Sequence, residues 1–96
     1  MNFQEFKKSL SGTNPPEDVS VYLLSLWYDA KGNWTRAHDI IADAEDKHGS
    51  WVHAYLHRKE GDVGNADYWY HKAGRRRPQT SLDDEWNSIA LELSGD

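Results

Sequence analysis

The chain has 96 residues, 38% hydrophobic and 28% charged, with a net charge of −5 at neutral pH. That length suits one helical domain spanning 1–96, and the acidic balance excludes the basic face that nucleic-acid binding requires. Zero cysteines exclude disulfides, thiolate nucleophiles and cysteine-bound zinc, and no apolar run approaches a membrane span, so a cytoplasmic protein with no membrane partner is expected.

Asn2-Phe3-Gln4-Glu5 carries a capping-box pattern. It predicts a first helix with Phe3, Phe6 and Leu10 as its apolar stripe, ended by a left-handed Gly12. Pro15 and Pro16 followed by Glu17 and Asp18 predict a second helix start, since proline and acids both suit a first turn. From Val19 to Tyr28 nearly every residue is apolar, so this helix is expected to be covered on several sides and central. Gly32-Asn33 breaks the chain. Asn33 caps a third helix with Trp34, Ala37, Ile40, Ile41 and Ala44 inward and Asp39, Asp43, Glu45 and Asp46 in solvent. Gly49 is expected to end that helix, with Ser50 capping a fourth from Trp51 to about Lys59. Gly61 terminates the fourth, Asp62 or Asn65 caps a fifth, and Gly74 stops it. Ser81 opens a sixth helix, where Leu82, Trp86, Ile89, Ala90 and Leu93 form an amphipathic stripe. No segment alternates as a strand does, so the fold class is all-α.

Two of these stretches are copies. Lys31-Gly32-Asn33-Trp34 with Ala37, Ile41 and Ala44 lies over Glu60-Gly61-Asp62-Val63 with Ala66, Tyr70 and Ala73. The pairs Gly32 and Gly61, Ala37 and Ala66, and Ala44 and Ala73 are each separated by 29 residues. A fixed offset carrying glycine and then small, large and small residues marks stacked helix–turn–helix units.

The second copy resembles a tetratricopeptide repeat in its rear half, through Gly61-Asp62-Val63, Ala66, Tyr70, Ala73 and Pro78. The first matches through Gly32-Asn33-Trp34, Ala37, Ile41 and Ala44, with Gly49 where the proline would stand. The resemblance covers residues 18–78, with a period of 29 against about 34 for the family. Trp51 to Tyr70 is separately similar to a segment of small bacterial proteins. The resemblance implies two stacked tetratricopeptide-like units, 15–48 and 49–78. A helix and loop over 1–14 and a helix over 79–96 would close their open ends. It also implies a concave groove lined by the first helix of each unit: Tyr22, Leu26 and Asp29, then Trp51, Tyr55, Arg58 and Lys59. Such a groove takes a protein or peptide. The pair that clamps a carboxylate terminus in the family is replaced here by Tyr22 and Leu26.

Five Trp and five Tyr exceed what a core this size readily hides. Tyr68-Trp69-Tyr70 is too dense for one face, because successive helical residues point about 100° apart. Trp69 therefore joins the candidate partner-binding set, with homodimerisation as the simplest use of exposed aromatics. The leading reading is a non-enzymatic interaction module without a cofactor. Gly61-Asp62-Val63-Gly64 lacks the Lys-Ser/Thr of a phosphate loop, and no nucleophile elbow exists. The alternative reading is a divalent-metal protein binding zinc or a similar ion. His53 and His57 stand at i and i+4, a chelating spacing, with Asp67 or His71 as the third ligand. The competing account of that pair is part-buried packing, with hydrogen bonds to Tyr68, Tyr70 or Asp67. Lys72, Arg75, Arg76 and Arg77 follow a helix end, where the helix dipole accounts for them.

Overall fold

A computed structural model describes residues 1–94; Gly95 and Asp96, the end of the expected capping segment, lie outside them. The capping box forms. Asn2 Oδ1 accepts from the Glu5 amide at 2.8 Å and Glu5 Oε1 from the Asn2 amide at 3.1 Å. This starts α1 (Phe3–Lys8), which a 3-10 turn at Ser9–Ser11 prolongs. Gly12 is extended (φ −89°, ψ 175°), not left-handed, and its amide closes the 3-10 turn on the Ser9 carbonyl at 3.0 Å.

The two prolines do not begin a helix. Asp18 has φ +61°, which interrupts any helical run from Pro16, and α2 (Val21–Ala30) starts on Ser20, whose Oγ accepts from the Leu23 amide. Asn33 caps α3 (Trp34–Ile41) through the Arg36 amide at 3.1 Å. That helix ends before Ala44, and α4 (Lys47–Glu60) begins before Gly49, with Asp46 at its cap position. Gly49 is therefore not a terminator. It lies buried in the first turn of α4, where a β-carbon would come within 2.5 Å of both Cβ and the carbonyl oxygen of Ala44. The missing side chain lets the 42–46 turn cross the helix start. Gly49→Ala should lower stability by about 1–3 kcal/mol through overpacking, read as a lower urea midpoint. An unchanged midpoint would mean that the turn yields freely.

Asp62 caps α5 (Val63–Lys72) and Ser81 caps α6 (Leu82–Leu93), each accepting from the amide three residues on. Gly61 (φ +90°) and Gly74 (φ +72°) take the left-handed turns expected of them. The described residues form six α-helices and no strand.

The central helix is α4, not α2. Its residues Gly49 to His57 are all buried, and it touches α2, α3, α5 and α6. Small residues at Gly49, Ser50 and Ala54 admit neighbours on several sides, whereas α2 leaves Val21 49% exposed. Ala37 and Ala66 are both fully buried; Ser25 Oγ reaches the Ala37 carbonyl at 2.7 Å and holds α2 close to α3. The most extensive helix contacts are α2 with α3 and α4 with α5, the pairs joined by short turns. α6 covers α2 and α4, stacking Trp86 on Phe6 of α1 and donating from Trp86 Nε1 to the Leu26 carbonyl at 3.0 Å. None of the described helices is long and apolar enough to cross a membrane.

Candidate metal centre

Three imidazoles meet where α3 crosses α4. His53 and His57 lie one turn apart on α4, both more than nine-tenths buried. His38, on α3, brings its Nε2 to 3.1 Å from Nε2 of His53. One ring nitrogen from each of the three lies within 4.8 Å of the others. Two nitrogens bound at 2.0–2.1 Å to a tetrahedral zinc stand roughly 3.3 Å apart, so the His38–His53 spacing already approaches that of a shared ion.

Aromatic rings hold the cluster in place. Trp34 stacks on His38 at 5.0 Å between centroids, and Trp69 stacks on His53 at 3.9 Å. Trp34 is itself tied to α4, donating from Nε1 to the Leu56 carbonyl at 2.9 Å. Burial, then repulsion from His57, His38 and Lys72, depresses the His53 pKa from 6.5 to about 4. His53 is thus neutral at pH 7, the form in which imidazole binds metal. Its Nδ1 is buried without any hydrogen-bond partner. Leaving such a group unpaired costs about 1–3 kcal/mol.

His57 is anchored differently. Its Nδ1 lies 2.6 Å from Glu60 Oε1, one turn on at the end of α4, and its Nε2 lies 3.5 Å from the Asn65 side-chain amide nitrogen. A second grouping, His57 with Glu60 and Asp62, also falls within 4.8 Å, but both of its carboxylates are exposed.

The structure brings together half of the metal set expected from sequence. His53 and His57 are joined by His38, which sequence reasoning missed, and not by Asp67 or His71. Asp67 is exposed and paired with Arg77 at 2.9 Å, and His71 is exposed on α5. A signal for His38 was present: it is the first-unit counterpart of Asp67 at the 29-residue offset. The chain matches no protein-family model, no curated protein and no solved structure.

Of the expected partner-binding residues, Leu26, Trp51 and Tyr55 are interior, Tyr22, Arg58 and Trp69 are partly buried and Lys59 is exposed. Leu26, Trp51 and Tyr55 are each at most 5% exposed, covered by α6 rather than by the N-terminal helix alone. Trp51 Nε1 donates to Glu85 at 3.3 Å, and Tyr55 donates its hydroxyl to Asp29 at 3.0 Å. Burial, followed by the nearby Asp29 carboxylate, raises the Tyr55 pKa well above its ordinary value. Arg58 is spent on Glu85 at 2.8 Å and Lys59 on Asp29 at 2.9 Å. Tyr22, partly buried, donates to Asp46. What stays open of the groove is a mixed-charge cleft of about 450 Å³ with Asp29, Tyr55 and Lys59 on its wall. Trp69 packs its ring on His53, while Tyr68 is the neighbour that points to solvent, 58% exposed. The other exposed large apolar side chains, Met1, Val21, Val63 and Leu91, come from different elements.

Proposed function

We propose that this protein binds one divalent transition-metal ion through His38, His53 and His57, linking α3 to α4. The observation that carries the reading is three imidazoles converging across two helices, with the facing Nε2 atoms of His38 and His53 3.1 Å apart. An all-imidazole shell suits zinc, copper or nickel and discriminates against magnesium and calcium, which take oxygen donors. Three protein ligands leave one coordination position for solvent or a further donor. Of the aromatic surface expected from sequence, Trp51 and Tyr55 are buried in the fold, and the metal reading is therefore preferred to a peptide groove there.

Chelator-stripped protein titrated with Zn²⁺ or Co²⁺ should take up one equivalent by calorimetry, and by visible absorption in the cobalt case. His38→Ala should abolish tight binding, whereas Asp67→Ala and His71→Ala should bind as the parent does. Loss of binding in either of the latter two with retention in His38→Ala would restore the ligand set read from sequence. No uptake by the parent protein would end the proposal.

A further inference from the structure

The metal reading leaves one close contact unused, and it sits on a ligand. Glu60 Oε1 lies 2.6 Å from His57 Nδ1, shorter than most nitrogen–oxygen hydrogen bonds. A carboxylate has no proton to give, so the imidazole Nδ1 carries the hydrogen and donates it. Which ring nitrogen bears the proton is set by the bond that the other makes. With Nδ1 protonated, Nε2 of neutral His57 keeps its lone pair. The Asn65 amide nitrogen, 3.5 Å from that Nε2, is a donor and agrees with a lone pair there.

We propose that Glu60 is the positioning residue of this centre, holding His57 in the Nδ1–H tautomer so that Nε2 serves as the metal ligand. The inference rests on the metal reading above. The backbone around Glu60 supports the role. Gly61 takes its left-handed turn immediately after it, with the Gly61 amide on the Arg58 carbonyl at 3.1 Å and the Asp62 amide on the His57 carbonyl at 2.9 Å. The end of α4 is therefore closed on both sides of the carboxylate. Asp62 does not share the task, since its oxygens accept from the Asn65 backbone amide at 3.3 Å and side-chain amide at 3.5 Å. Carboxylate–imidazole–metal triads of this kind fix ring orientation and raise ligand basicity, and loss of the outer partner weakens metal binding roughly 10–100-fold.

Two readouts test it on the full chain. Long-range nitrogen–proton correlation spectra of metal-free protein should show His57 as the Nδ1–H form, and Glu60→Ala should lose that exclusivity. Zinc affinity of Glu60→Ala should fall roughly 10–100-fold with the stoichiometry still one. Glu60→Gln keeps an acceptor oxygen, so it should restore the tautomer and part of the affinity. An unchanged affinity or tautomer in Glu60→Ala overturns the proposal. So does loss of the bound ion in both variants, which would make Glu60 a ligand itself. A parent protein that takes no zinc removes the metal reading instead, a result separable from the tautomer measurement.

Discussion

Glu85→Ala should cost about 3–5 kcal/mol. Glu85 is 3% exposed and collects donors from two other helices. Tyr70 Oη of α5 donates at 2.6 and 2.8 Å to its two oxygens. Arg58 Nη1 and Trp51 Nε1 of α4 donate at 2.8 and 3.3 Å. Removing the carboxylate strands a largely buried guanidinium, a phenol and an indole together, and each buried orphan costs about 1–3 kcal/mol. Arg58 retains the Thr80 carbonyl, which is why the loss is not larger. Urea denaturation should show a lower midpoint with an unchanged slope. Tyr70→Phe, which deletes one donor and leaves the charge paired, should cost only about 1 kcal/mol. A Glu85→Ala loss no greater than that of Tyr70→Phe would show that water replaces the carboxylate.

Helix count and type were legible because the signals are local. Asn2 and Glu5, Asn33, Ser81, Gly61 and Gly74 each act within a turn, and each does in the structure what its chemistry dictates. Pro15-Pro16 and Gly49 misled for the complementary reason. Their local preference was overridden by the left-handed Asp18 upstream of Ser20 and by the crossing of the 42–46 turn. Glu85 shows the same limit on a functional scale. In sequence it is one of three acids in a first turn, alongside Asp83 and Asp84, and the helix dipole explains all three equally. Only packing singles it out, since Asp83 and Asp84 are exposed while Glu85 faces Tyr70. The candidate centre divides in the same way. The i, i+4 spacing of His53 and His57 is a property of one helix and could be read directly. His38 joins them through a contact between helices, 15 residues from His53, which spacing along a single helix does not report. Part of the aromatic excess is taken up inside the fold: α6 covers Trp51 and Tyr55, and the imidazoles take the ring faces of Trp34 and Trp69.

Metal-free protein should lose about 3 kcal/mol of stability between pH 6.5 and pH 4 from His53 alone. In the unfolded chain this imidazole titrates near 6.5; in the fold, burial and the neighbouring imidazoles bring it to about 4. Protons therefore bind the unfolded state preferentially throughout that window, and falling pH favours unfolding. Above about pH 6.5 both states are neutral at His53 and its contribution is fully present. Each unit below that costs about 1.4 kcal/mol until the folded group itself protonates near pH 4, where the loss stops growing. The side chain is 5% exposed, so solvent does little to screen the effect. Urea midpoints in chelator should fall steadily from pH 7 to pH 4.5, and His53→Leu should flatten that slope. A direct NMR titration of the His53 ring supplies the check that survives any packing defect in the variant. A ring that titrates near 6.5 in the folded protein would mean that water reaches the cluster and that burial does not hold His53 neutral.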